Sequence, residues 1–205
     1  MFIQTKSPKI TGVASFTILY TLGFLALSLS QENFSALPSL GAQLALMLFV
    51  YVAHKRIHYA LPLIWCLSFL GLLNLAGGIT TLPSTDGSEG VPYYLNELWV
   101  SREWLSYSTC VHVYGLGVIT WANWQTMCNI IHSRYQRRLM PSAGLLLLVI
   151  TSAIGYGAIG EIAVLLVDYC FSSERVADFG NICKNMTANL CGALLTSVLI
   201  KLRNL

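Results

Sequence analysis

Apolar residues along this chain neither alternate with polar ones nor recur as a single helical stripe; they come in blocks. Six stand out: Thr11 to Leu29, Leu37 to Ala53, His58 to Gly77, Leu105 to Ile131, Ser142 to Val167 and Met186 to Leu202. Each is near the roughly 20 residues a helix needs to cross a hydrocarbon core about 30 Å thick. In lipid the backbone must satisfy its own polar groups, so each block predicts a helix. A transmembrane β-barrel would show alternating segments of about ten residues instead. The expected fold is all-α. It is a polytopic membrane helix bundle of about six transmembrane helices, a single integral membrane domain over 1–205 with a long outer loop at 78–104. The first block, preceded by Lys6 and Lys9, also has the outline of a secretory signal. Its apolar run exceeds the roughly 7–15 residues of a signal's core, which favours a retained helix.

Composition agrees. Of 205 residues, 55% are hydrophobic and 10% charged, against about 25% charged in soluble domains. The distribution of charge adds an orientation. Six crossings place Lys6, Lys9, Lys55, Arg56, Arg134, Arg137, Arg138, Lys201 and Arg203 on one side, with no acid among them. Glu32, Asp86, Glu89, Glu97, Glu103, Glu161, Asp168, Glu174 and Asp178 fall on the other side or within the membrane, joined by Arg102, Arg175 and Lys184. Positively charged loops stay in the cytoplasm, so both termini are expected there. The net charge of +3 thus reads as lipid anchoring, with Arg134, Arg137 and Arg138 near anionic headgroups, and not as a nucleic-acid surface.

The outer loop carries turn chemistry, Gly77-Gly78, Pro83, Asp86-Gly87 and Gly90. It then becomes aromatic and acidic: Tyr93, Tyr94, Glu97, Trp99, Glu103 and Trp104. Trp and Tyr favour the membrane interface, so this stretch is expected as an anchor, partly a short surface helix, ahead of a lid over a pocket. The six cysteines form no CxxC pair. Cys66, Cys110, Cys128 and Cys191 fall inside blocks as small core residues. Cys170 and Cys183 flank the loop between the fifth and sixth blocks, in an oxidising compartment, and are a disulfide candidate.

Ionisable groups within membrane helices are costly and mark sites of function by default. Glu161 in the fifth block is the foremost, and His112 in the fourth lies at similar depth. Asn185 and Asn189, in the first turns of the sixth block, and Asp168 at the end of the fifth share that outer level. His112 and Asn123 share a helix face; Asn185, Asn189, Gly192 and Thr196 form one stripe, and Gly157 and Glu161 are four apart. Small residues on these stripes admit close helix approach. The expected arrangement is a bundle of the last three helices around an outward-opening polar pocket. In it Glu161 pairs with His112 or accepts from Asn185 and Asn189. Amides can also serve as interhelical glue, which is the plainer role for the Asn residues. His54, His58 and His132 near the cytoplasmic ends are too few for a metal or haem site, so no metal and no cofactor is expected.

No GxSxG, HExxH, P-loop or GxGxxG occurs. Asn33-Phe34-Ser35 and Asn185-Met186-Thr187 match glycosylation acceptors. The carboxyl-terminal half, roughly 105–202, resembles the YjdF-like bacterial inner-membrane proteins and the wider VanZ-like group. The likeness rests on Lys184-Asn185-Met186, Asn189-Leu190 and Gly192-Ala193-Leu194-Leu195. His112-Val113-Tyr114-Gly115 is similar to the family's His-aromatic helix, one residue shorter in spacing, and Glu161 falls at the place of its Glu-rich helix. Asn181 and Asn185 stand where those proteins carry two acids. The resemblance implies a bacterial inner-membrane fold and a role in the cell envelope. The leading expectation is therefore a multi-pass membrane protein that binds or acts on an envelope lipid or polar ligand. Its candidate cluster is Glu161, His112, Asn185, Asn189, Asn123, Asn181 and Asp168. The alternatives are a structural or accessory subunit with a membrane-protein partner and a small transporter. The last is disfavoured because no inverted repeat relates 11–77 to 105–202.

Overall fold

The computed structural model describes residues 10–31, 36–82, 93–101, 105–171 and 179–203. Lys6, Lys9, Asp86, Glu103 and Trp104 lie outside them, as do the side chains of Asp168 and Cys170, so the proposed disulfide is not described. Six helices make up nearly all of it: α1 Thr11–Ser30, α2 Leu37–Ile57, α3 Leu61–Ile79, α4 Tyr107–Tyr135, α5 Ala143–Phe171 and α6 Phe179–Arg203. Five of them, α1, α2, α3, α5 and α6, are long and apolar enough to cross a membrane. The protein is a multi-pass membrane protein by this measure. The fourth helix, at 29 residues, is long enough but more polar than the rest.

Local chemistry sets most helix ends. Pro38 and Pro62 sit in the first turns of α2 and α3, where a missing N–H costs nothing. Ser106 and Ser142 accept the Thr109 and Leu145 amides through their hydroxyls (3.2 and 3.4 Å) and so cap α4 and α5. The second helix runs past its apolar block through His54, Lys55 and Arg56, and the Lys55 and Arg56 charges suit a helix carboxyl end. It stops at His58, which takes the left-handed conformation (φ 57°, ψ 56°). The sixth helix begins seven residues before its apolar block, because Asn181, Lys184 and Asn185 extend the helix without adding hydropathy.

In the described part of the loop after α3, two short antiparallel ribbons, β1 Thr81–Leu82 with β2 Tyr93–Tyr94 and β3 Trp99–Ser101 with β4 Leu105–Ser106, lie around a 3₁₀ turn at Leu95–Glu97. This part folds back on α3: the Leu95 amide bonds the Thr80 carbonyl (3.0 Å) and the Tyr107 hydroxyl donates to the Leu73 carbonyl (2.9 Å). Gly77 and Gly78, expected as turn residues, close the last turn of α3. A Cβ at Gly77 would run into the Asn96 side chain, so glycine makes room for the returning loop.

The chain forms two compact units, Met1–Val111 and His112–Leu205. In the first, α1 and α3 run parallel, with α2 antiparallel to both. Ala36, Leu40, Leu75 and Ile79 form an apolar cluster at one end. Towards the other end the contacts are polar: Thr17 and Ser68 share a hydroxyl bond (2.6 Å), Tyr20 donates to the Ser68 carbonyl (2.9 Å) and Gln43 donates to the Tyr20 hydroxyl (2.8 Å). In the second unit Trp124, Leu146, Val149 and Ile200 pack at one end, and Leu116, Ala153 and Ala193 pack midway.

Both units are apolar outside. Leu19, Leu48 and Ile159 are 72%, 65% and 64% exposed, while Thr17, Gln43, Thr120 and Asn189 are buried. Soluble monomers do not present apolar surface on this scale. Hydrocarbon around the helices accounts for it, and the inward polar groups then serve as interhelical contacts.

Candidate functional site

The second unit brings three of the expected residues together. His112 is five residues into α4, Glu161 ten residues before the end of α5, and Asn189 ten residues after the start of α6. Ten residues of helix are about 15 Å, so Glu161 and Asn189 lie deeper than first turns. The His112 Nε2 atom stands 3.7 Å from Glu161 Oε1, and its Nδ1 stands 3.1 Å from Asn189 Oδ1. The His112 and Glu161 side chains are 27% and 13% exposed. Asn189 is fully buried, its amide nitrogen 4.0 Å from the Met186 sulfur.

Helix approach explains how three polar side chains from three helices meet. A Cβ at Gly192 would strike the Val113 carbonyl, and one at Gly117 would stand 2.8 Å from Thr196 Oγ1. Val113 to Gly192 and Gly117 to Thr196 advance by four residues on both helices, so α4 and α6 run parallel through this contact. On the other flank a Cβ at Gly157 would lie 2.8 Å from Asn189 Nδ2. Ala153 and Ala193 continue that antiparallel α5–α6 seam, both fully buried. The stripe of small residues on α5 and α6 is readable from spacing. Gly117 is not, because it shares no simple period with His112, and its glycine-for-threonine fit shows only when α6 is placed.

Asn189 Oδ1 and Glu161 Oε1 face the two nitrogens of one imidazole, so the His112 ring lies between a group on α6 and a group on α5. The 3.7 Å gap is too long for a hydrogen bond and within ion-pair range. A donor or acceptor on a ligand can therefore enter without first breaking a short bond.

Other expected members lie apart. Asn123 donates to Ser152 Oγ at 3.3 Å, a second contact between α4 and α5 further along the same antiparallel face. Asn185 is half-buried one turn before Asn189, and Asn181 and Cys183 are exposed. The His54 and His58 rings lie 6.4 Å apart between centroids, tilted at 60° to each other. Among the described residues no three His, Cys, Asp or Glu side chains converge as a metal site would need.

The chain matches no protein-family model, no curated protein and no solved structure.

A second feature gives no sign of itself in the sequence. The first unit holds a cavity of about 290 Å³ between α1, α2 and α3, walled by residues such as Val13, Ala14, Met47, Tyr51 and Leu67, with Thr17, Gln43, His54 and Ser68 also in its lining. No charge marks it on α1 or α3, so nothing in the one-dimensional pattern announces it.

Proposed function

We propose that this chain is a six-span protein of a bacterial inner membrane, with both termini in the cytoplasm. It binds a polar ligand, a lipid headgroup first of all, from the outer leaflet at His112 and Glu161. The observation that carries this is an ionisable pair 3.7 Å apart inside the helices, partly open at both members. Such a pair is expensive to keep in a membrane unless it is used. Asn189 positions the His112 ring and leaves Nε2 and the carboxylate to the ligand. The resemblance of 105–202 to YjdF-like and VanZ-like proteins supports an envelope role. With the amides Asn181 and Asn185 standing where the resemblance implies two acids, Glu161 is the carboxylate that faces His112.

Phosphatidylethanolamine is a suitable probe, since its ammonium suits Glu161 and its phosphate suits a protonated His112. Native mass spectrometry of the purified protein with this lipid added is expected to show a retained adduct. Glu161→Gln and His112→Ala should each lose it while keeping the unfolding temperature within a few degrees. If both variants keep the adduct and only unfold earlier, the pair is structural, and the accessory-subunit reading replaces this one. Burial of Asn189 already gives that residue a structural share.

A further inference from the structure

The cavity of the first unit has a largely apolar lining, and one of its lining residues, Tyr51, also contacts a cation. Four polar side chains, Thr17, Tyr20, Gln43 and Ser68, lie at or beside the cavity, yet they satisfy one another or a backbone carbonyl. What remains for an occupant is mostly aliphatic and aromatic surface, with the His54 imidazole at one place in the lining. The space, about 290 Å³ and partly open to its surroundings, is large enough to take an apolar guest. It lies in the half of the unit where α1 starts, α2 ends and α3 starts. That end is cationic, with Lys55 and Arg56 exposed in the last turn of α2. The Lys55 ammonium sits 4.8 Å from the ring centroid of Tyr51, itself a wall residue. Lys55 thus makes a cation–π contact with a residue that also lines the cavity.

We infer that this cavity binds the alkyl chain of an anionic amphiphile, whose negative head pairs with Lys55. The carboxylate of a long-chain fatty acid and the phosphate of an anionic phospholipid share that chemistry, an aliphatic chain ending in an anion. The site is separate from His112 and Glu161 and does not depend on their role. An aliphatic chain suits the largely apolar lining, and a negative head suits the cation on Tyr51, so one amphiphile uses both features.

The test uses the whole purified protein, oleate and phosphatidylglycerol, with binding read by native mass spectrometry and by displacement of a fluorescent fatty acid. The wild type is expected to hold one oleate or one phosphatidylglycerol, and the two arms tell which source fills the cavity. Ala14→Trp and Leu67→Trp each fill it and should weaken binding by about tenfold or more, as several buried methylenes are lost. Lys55→Glu should weaken it by about threefold, the scale of a partly exposed ion pair, and Lys55→Arg should restore it. Glu161→Gln should leave it unchanged, which separates this site from the one in the second unit. No adduct on the wild type, or filled variants that bind as the wild type does, would overturn the assignment. Using two filling variants guards against one that does not fold.

Discussion

Asn189 decides whether His112 has a fixed orientation. Its side chain is fully buried, and its oxygen holds Nδ1 at 3.1 Å. Side-chain hydrogen bonds between membrane helices average about 0.6 kcal/mol, because the unfolded chain in lipid finds other partners. An unpaired buried polar group costs about 1–3 kcal/mol. The second effect dominates here, since Asn189→Leu leaves a ring nitrogen beside an apolar side chain. We expect Asn189→Leu to lower stability by about 1–3 kcal/mol in detergent unfolding, and to weaken phosphatidylethanolamine binding as well. Asn189→Thr should retain more of the stability, because a hydroxyl still pairs with Nδ1 and adds no buried charge. Equal losses for the two variants would show that packing, not the hydrogen bond, is what Asn189 provides. The pair itself is legible in the sequence because a Glu and a His inside apolar blocks violate the pattern around them. The polar contacts of the first unit are not legible. Thr17, Tyr20, Gln43 and Ser68 carry no charge, so each is tolerated singly, and only the packing of α1 to α3 joins them.

At the scale of elements, the parallel contact of α4 with α6 depends on Gly192. Its neighbour is the Val113 backbone carbonyl, which cannot move aside as a side chain can. Gly192→Ala therefore pushes the helices apart, takes His112 away from Asn189 and opens the seam that Gly117 and Thr196 continue. Overpacking typically costs about 1–3 kcal/mol. A loss in that range is expected, together with loss of the adduct that Glu161 and His112 support. Gly144, near the start of α5, serves as the contrast, since a Cβ there would meet nothing within 4 Å. Gly144→Ala should be neutral or stabilising by up to about 1 kcal/mol, through helix propensity alone. If both glycines tolerate alanine equally, close approach at Gly192 is not what holds α4. Helix cores are readable from hydropathy, but ends are not. Ends are set by caps and charges such as Ser106, His58 and the polar start of α6, and hydropathy is blind to these.

For the molecule as a whole, the arrangement turns on whether α4 crosses the membrane. Five helices meet the apolar criterion and α4 does not. Its polar groups are directed at neighbours: His112 and Asn123 meet α5 and α6, and the Thr120 and Thr126 hydroxyls bond carbonyls one turn back. A helix so satisfied can cross despite modest hydropathy. Charge supplies an independent criterion. Of the 12 Lys and Arg residues, six crossings put nine on one side, Lys6, Lys9, Lys55, Arg56, Arg134, Arg137, Arg138, Lys201 and Arg203, and three on the other. If α4 stayed on the outer side, Arg134, Arg137, Arg138, Lys201 and Arg203 would move out with Arg102, and Arg175 and Lys184 would move in. The division would become six and six, and the positive-inside bias would vanish. Six crossings also leave the termini on the same side, whereas five separate them. Tags at the two ends, probed with an impermeant label in sealed cells, should therefore both stay unlabelled until the membrane is opened. A carboxyl-terminal tag labelled from outside, with the amino-terminal tag protected, would mean that α4 does not cross, and His112 would then reach Glu161 from the surface and not from within the bilayer.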